Sequence, residues 1–238
     1  LIHIIKNTKE QDEAQEKLDQ VASDNQGRNG VEIIALVRKG SIFTTIGEVA
    51  LEVNSELVIM GTHGLKGMQK LTGSWALKVI VSSKVPFVVV QEAPNETDLR
   101  DIILPVDFKK ESKETLNWVS YLQKYFTPKF HIIKPNTTDV GFIKRIKANI
   151  AFARKFMDNK GVDYEIHSAE GKKNFPVELI EFGKGINADL ILIISTKNIG
   201  ITDYVLGAHE QYLIANSSKI PVMVVNPRDD LTKMEVNY

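Results

Sequence analysis

The chain has 238 residues, 43% apolar and 25% charged, with 30 basic side chains against 30 acidic ones. This is ordinary globular composition, and its length favours two small domains over one large one. Balanced charge provides no long-range field to gather nucleic acid or anionic lipid, and the absence of cysteine excludes disulfides, thiolate metal sites and a cysteine nucleophile.

Short apolar, β-branched runs alternate with longer amphipathic stretches, the pattern of parallel strands buried on both faces by crossover helices. Strands are predicted at Leu1 to Lys6, Val31 to Val37, Leu57 to Met60 and Phe87 to Val90. Between them fall helices at Lys9 to Ser23, Ile42 to Val53 and Ser74 to Val81, with Asp12, Glu13 and Glu16 on a solvated face of the first. Residues 91–98 are polar with one proline and read as a short linker. A boundary near Thr97 divides the chain into 1–97 and 98–238. The pattern then restarts, with strands at Ile102 to Val106, Phe130 to Ile133, Tyr164 to His167, Leu190 to Ile194 and Val222 to Val225. Helices are predicted at Ser112 to Tyr125, Phe142 to Asn159, Pro176 to Asn187 and His209 to Asn216. No apolar run approaches the ~20 residues of a membrane helix, and Leu1-Ile2-His3-Ile4-Ile5 is too short for a signal peptide, so a cytoplasmic protein without membrane contact is expected.

The halves match in places. Ser82-Ser83-Lys84-Val85-Pro86 recurs as Ser217-Ser218-Lys219-Ile220-Pro221, each before an apolar strand, and Leu1 to Lys6 echoes Lys129 to Lys134. Repetition on this scale argues for duplication. The second copy opens with a strand and helix, Ile102 to Phe126, that the first lacks. Without them the first copy would hold two strand pairs with no bridge, so further chain before Leu1 is expected.

One segment carries chemistry. After the strand Leu57 to Met60 comes Gly61-Thr62-His63-Gly64-Leu65-Lys66-Gly67-Met68-Gln69-Lys70-Leu71-Thr72-Gly73-Ser74-Trp75, leading into a helix. Glycines let backbone amides approach a phosphate, a helix start at Gly73 and Ser74 is electropositive, and the Ser74 hydroxyl can donate. Lys66 and Lys70 add charge. The segment has neither the Gly-Lys-Ser/Thr ending of a Walker loop nor the Gly-x-Gly-x-x-Gly dinucleotide fingerprint.

Gly61-x2-Gly64, eight residues, then Gly73-Ser74 resembles the Gly-x2-Gly-x9-Gly-Ser/Thr loop of the universal stress protein family, one residue short. The resemblance implies an α/β fold of two tandem doubly wound lobes with parallel five-stranded sheets, the first lobe lacking its opening strand. It implies ATP held by Gly61, Gly64, Gly73 and Ser74, with Met60 and Trp75 as backbone neighbours, and leaves the need for Mg²⁺ open. It also implies that the last strands, Phe87 to Val90 and Val222 to Val225, pair across a two-fold axis within the chain, with homodimerisation left open. In the second lobe Asp107 takes the position of the family's adenine-contacting aspartate. There Ser195, Asn198, Gly207 and Ala208 stand where Gly61, Gly64, Gly73 and Ser74 stand. Two glycines and the serine are lost, so that lobe is expected to bind ATP weakly or not at all.

Simpler readings stand beside these. Glycines after a parallel strand also serve a tight turn, Gly73-Ser74 also reads as a helix cap, and Asp107 as a cap for the helix after Ser112. His63 reads as a loop bystander, His3 and His131 as sharing a packing role at equivalent strand positions, and His167 and His209 as isolated; no metal site is expected. No nucleophile stands at a recognisable spacing from a base, so no enzymatic activity is expected. The functions carried forward are an ATP-binding, regulatory stress-response protein, a structural or protein-interaction member that binds no nucleotide, and, more weakly, a slow nucleotide hydrolase.

Overall fold

The computed structural model describes residues 1–27, 30–61, 79–81, 83–93, 98–107, 109, 113–197, 204–205 and 207–226. The first half contributes β1 (Ile2–Ile5), α1 (Gln11–Asn25), β2 (Leu36–Lys39), α2 (Ile42–Glu52), β3 (Val58–Gly61) and β4 (Phe87–Val90). The second contributes β5 (Asp101–Pro105), α3 (Thr115–Tyr125), β6 (Lys129–Lys134), α4 (Val140–Lys160), β7 (Tyr164–Ser168), α5 (Phe175–Gly185), β8 (Leu190–Ile194), β9 (Thr196–Lys197), β10 (Tyr204–Val205), α6 (Ala208–Ile214) and β11 (Val222–Val225).

Seven strands form one sheet in the order β3-β4-β11-β8-β5-β6-β7. Its five second-half strands are parallel neighbours, β11-β8-β5-β6-β7, the order of a doubly wound unit with β5 at the centre. β4 joins β11 antiparallel, with Val89 opposite Val222 and Phe87 opposite Val224, so the two last strands pair within the chain as the resemblance implied. β3 lies parallel to β4 at the outer edge. β1 and β2 form a separate parallel pair, and β9 and β10 a short antiparallel one that the sequence pattern did not indicate. Among the described residues, then, the first half contributes two strand pairs, β1-β2 and β3-β4, without a bridge between them, as expected.

Alternation along the strands sends side chains to two cores. Phe87, Ile103, Ile133, Ile191, Ile193, Val222 and Val224 face one, closed by Leu179 and Ile180 of α5 and Leu213 and Ile214 of α6, with Phe43 and Ile46 of α2 against it. Ile102, Leu104, Phe130, Ile132, Leu190, Leu192, Met223 and Val225 face the other, closed by Leu116, Val119 and Leu122 of α3 and Ala153 and Met157 of α4. Both faces of the sheet are covered, which explains why these strands read as continuous apolar runs. Helix ends follow local chemistry. Asp139 accepts from the Phe142 amide at 2.7 Å to start α4, and Gly161, at φ 63°, ends it in the left-handed region.

Most predicted elements appear within a few residues of their expected bounds. The strand expected at Val31 to Val37 is shorter: residues 31–35 are irregular and β2 begins at Leu36, opposite Ile2. The helix expected at Ser74 to Val81 is described only at 79–81, which are helical.

Candidate functional site

In parallel α/β sheets ligands gather at the carboxyl ends of the strands. Because β3 and β4 run opposite to β11, the carboxyl end of β3 lies at the sheet edge opposite to that of β5, β8 and β11. The two candidate regions are therefore on opposite edges.

In the first half, β3 carries Met60 and ends at Gly61. The Met60 side chain is half-buried against the first core, which leaves its backbone as the part available at the strand end. Gly61 is exposed, and among the described residues a Cβ placed there meets nothing within 4 Å. Gly64, Gly73, Ser74 and Trp75, with His63, Lys66 and Lys70, lie outside the described residues.

In the second half, the described residues at the edge bind one another. Asp107, just beyond β5, accepts at Oδ1 from the Lys109 amide at 2.9 Å. With that bond it caps its own turn. Asn149 of α4 fixes that turn by donating Nδ2 to the carbonyls of Asp107 at 2.7 Å and Lys109 at 2.9 Å. The Lys109 ammonium lies 3.2 Å from Glu210 Oε1 and 3.9 Å from Asp107 Oδ2. Glu210, buried in the first turn of α6, folds back so closely that a Cβ on Gly207 would come 2.6 Å from its Oε2. Among the described residues, Asp107 and Glu210 share the Lys109 ammonium.

Ser195, at the end of β8, is fully buried and donates its hydroxyl to Asn226 Oδ1 at 2.5 Å. Asn226 in turn donates Nδ2 to the carbonyls of Ile80 at 2.6 Å and Ser83 at 2.7 Å, tying the end of β11 to the segment before β4. The Ser195 hydroxyl thus serves the junction between the halves. Ala208 is the exposed first residue of α6, and its N-cap Gly207 makes no side-chain capping bond. Asn198 lies outside the described residues. Asp107 and Gly207 are thus linked through Lys109 and Glu210, while Ser195 is turned into the interior.

The sequence pattern missed a second cluster, spread across β5, β6 and β7. His131 of β6 is 5% exposed; its Nε2 lies 2.8 Å from Asp101 Oδ1 and its Nδ1 3.2 Å from His167 Nε2. The imidazoles stack with centroids 5.3 Å apart, and Phe182 of α5 packs against both, 4.5 Å from His167 and 5.9 Å from His131. Burial, with help from the neighbouring His131, holds His167 below the usual imidazole range. Glu165, two residues before His167 and hence on the same strand face, completes the group. His167 is therefore not isolated. Nor do His3 and His131 share a packing role, since His3 is exposed on β1. The available signal was the spacing Glu165-x-His167 on a strand; its partner on the adjacent strand becomes apparent only from the register that sets His131 opposite Glu165.

Among the described residues no helix is long and apolar enough to cross a membrane. Residues 4–91 match the universal stress protein family. The chain is similar in fold to a universal stress protein from Archaeoglobus fulgidus, at 21% identity over 93% of this chain and 79% of that one, with a TM-score of 0.69. It is also similar to a functionally unknown protein from Pseudomonas aeruginosa, at 15% identity over 98% of this chain and 83% of that one, with a TM-score of 0.66. A universal stress protein from Archaeoglobus fulgidus in complex with dAMP aligns at 16% identity over 56% of this chain and 100% of that one, with a TM-score of 0.41, an overlap that transfers no ligand to this chain. No curated protein matches the sequence.

Proposed function

We propose, from the membership of residues 4–91 in the universal stress protein family, that the chain is a cytoplasmic, non-enzymatic regulator that binds ATP or a related adenine nucleotide through its first half. The reading divides the chain at residue 97 into a binding lobe and a degenerate one. The observation that carries it is the contrast between equivalent positions. The first half offers Gly61, open at the end of β3 and leading into Gly64, Gly73 and Ser74, where amides and a hydroxyl suit phosphate. The second half offers Ser195 committed to Asn226, and Glu210 folded over Gly207 beside Asp107.

The test is nucleotide content and thermal shift of the purified chain. Co-purifying adenine nucleotide, or a rise in Tm on adding ATP that Ser74→Ala abolishes and Ala208→Ser leaves unchanged, is the expected result. Extraction that yields none, with no thermal shift up to millimolar ATP and with or without Mg²⁺, overturns the proposal in favour of a structural or protein-interaction member.

A further inference from the structure

The histidine cluster across β5 to β7 plays no part in the nucleotide reading. We propose that His131, His167 and Glu165 form a zinc site, with Asp101 as its positioning carboxylate. Two ligand atoms each about 2.0–2.1 Å from a tetrahedral zinc stand about 3.3 Å apart. His131 Nδ1 and His167 Nε2 stand 3.2 Å apart. Glu165 Oε2 is 3.6 Å from His167 Nε2, and the ligand atoms of all three residues lie within 4.8 Å of one another. Two imidazoles and a carboxylate, with no thiolate, are a borderline donor set that zinc takes readily.

The surroundings complete the argument. Asp101 accepts from His131 Nε2 at 2.8 Å, which fixes the tautomer and leaves the Nδ1 lone pair directed towards His167. This carboxylate–histidine arrangement is the one that orients and strengthens metal-bound imidazoles. Phe182 packs against both rings and holds their planes. Lys129 donates to Glu165 Oε1 at 2.6 Å, which leaves Oε2 for the histidines. Asp101 and Glu165 against Lys129 give the neighbourhood one surplus negative charge, which suits a divalent cation. Glu165 is half-exposed, so water can fill a fourth position.

The test uses the full 238-residue chain, stripped with chelator and titrated with zinc ion alone by calorimetry, then with Co²⁺ by visible absorption. The expected result is one zinc per chain and a tetrahedral cobalt spectrum. His167→Gln and the exposed Glu165→Gln, both at the solvent side of the cluster, each weaken binding at least roughly tenfold. Asp101→Asn weakens it by roughly 10- to 100-fold with stoichiometry retained. His3→Ala, on exposed β1, leaves affinity unchanged. Circular dichroism confirms that each variant is folded. Folded wild type that takes up no zinc, or His167→Gln and Glu165→Gln with wild-type affinity, overturns the proposal and leaves the two rings as a hydrogen-bonded pair.

Discussion

Replacing Asn226 with alanine tests the junction between the halves. The residue is 5% exposed and its amide serves three partners: it accepts from the fully buried Ser195 hydroxyl and donates to the carbonyls of Ile80 and Ser83. Asn226→Ala leaves all three without that partner in a place water does not reach. An orphaned buried polar group costs about 1–3 kcal/mol; the Ile80 carbonyl keeps the Ser83 amide at 3.4 Å, so two groups are orphaned and, at the low end for each, since the serine hydroxyl can rotate, the sum is about 2 kcal/mol. That is a large share of the ~5–15 kcal/mol by which a protein domain is usually stable. Urea unfolding followed by circular dichroism and extrapolated to water measures the loss. Ser195→Ala alone is expected to cost about 1 kcal/mol, and the double variant less than the sum of the singles by at least about 0.5 kcal/mol, because both remove the same bond. A loss below about 1 kcal/mol for Asn226→Ala, or strict additivity, would refute the assignment of this side chain as the tie between β11 and the segment before β4.

Two further outcomes follow from packing and charge. A Cβ on Gly183 of α5 would come 2.7 Å from Ile103 Cδ1 and 2.9 Å from Ile220 Cδ1, both in the core. Gly183→Ala should therefore lower stability by about 1 kcal/mol net, overpacking of about 1–3 kcal/mol exceeding the ~1 kcal/mol gained in helix propensity; a raised Tm would show that the core yields. The Tyr121 phenol of α3 donates to Glu56, and this bond, with burial adding to it, pushes its pKa up to about 12. The folded state thus favours the neutral phenol, so the stabilisation is full below the ordinary tyrosine value of about 10 and is lost as pH rises through about 12. Phenolate absorbance of wild type minus Tyr121→Phe should show this high titration, and Glu56→Gln should bring it back towards the ordinary value; an unchanged titration would remove Glu56 as its cause.

The second half was readable because its strands are covered on both faces. Ile102 to Leu104 and Leu190 to Ile194 are continuous apolar runs, and such runs place themselves in a parallel sheet whatever their partners. The pairing of the two last strands was an implication of the family resemblance and not of the pattern itself. Residues 31–35 misled, since a β-branched run states a preference that does not by itself fix the bounds of a strand. At the degenerate edge, the losses at Ser195 and Ala208 were visible as letters. That Glu210 and Lys109 meet there was not, because their contact spans about a hundred residues. The zinc ligands were hidden for the same reason: a motif search follows spacing along one strand, whereas His131 and His167 meet across two.

The antiparallel seam between β4 and β11 has a consequence for assembly. Each of these strands is flanked on both sides, β4 by β3 and β11, β11 by β4 and β8. Their backbone donors and acceptors are already spent within a single molecule, so a second copy has no vacant ladder there to extend. Among the described residues, strand addition to the large sheet would use its outer borders, β3 or β7, and those two borders differ in sequence and neighbourhood. A symmetric pair built by strand addition would therefore have to choose one border and meet its own counterpart, leaving the other free at each end of the doubled sheet.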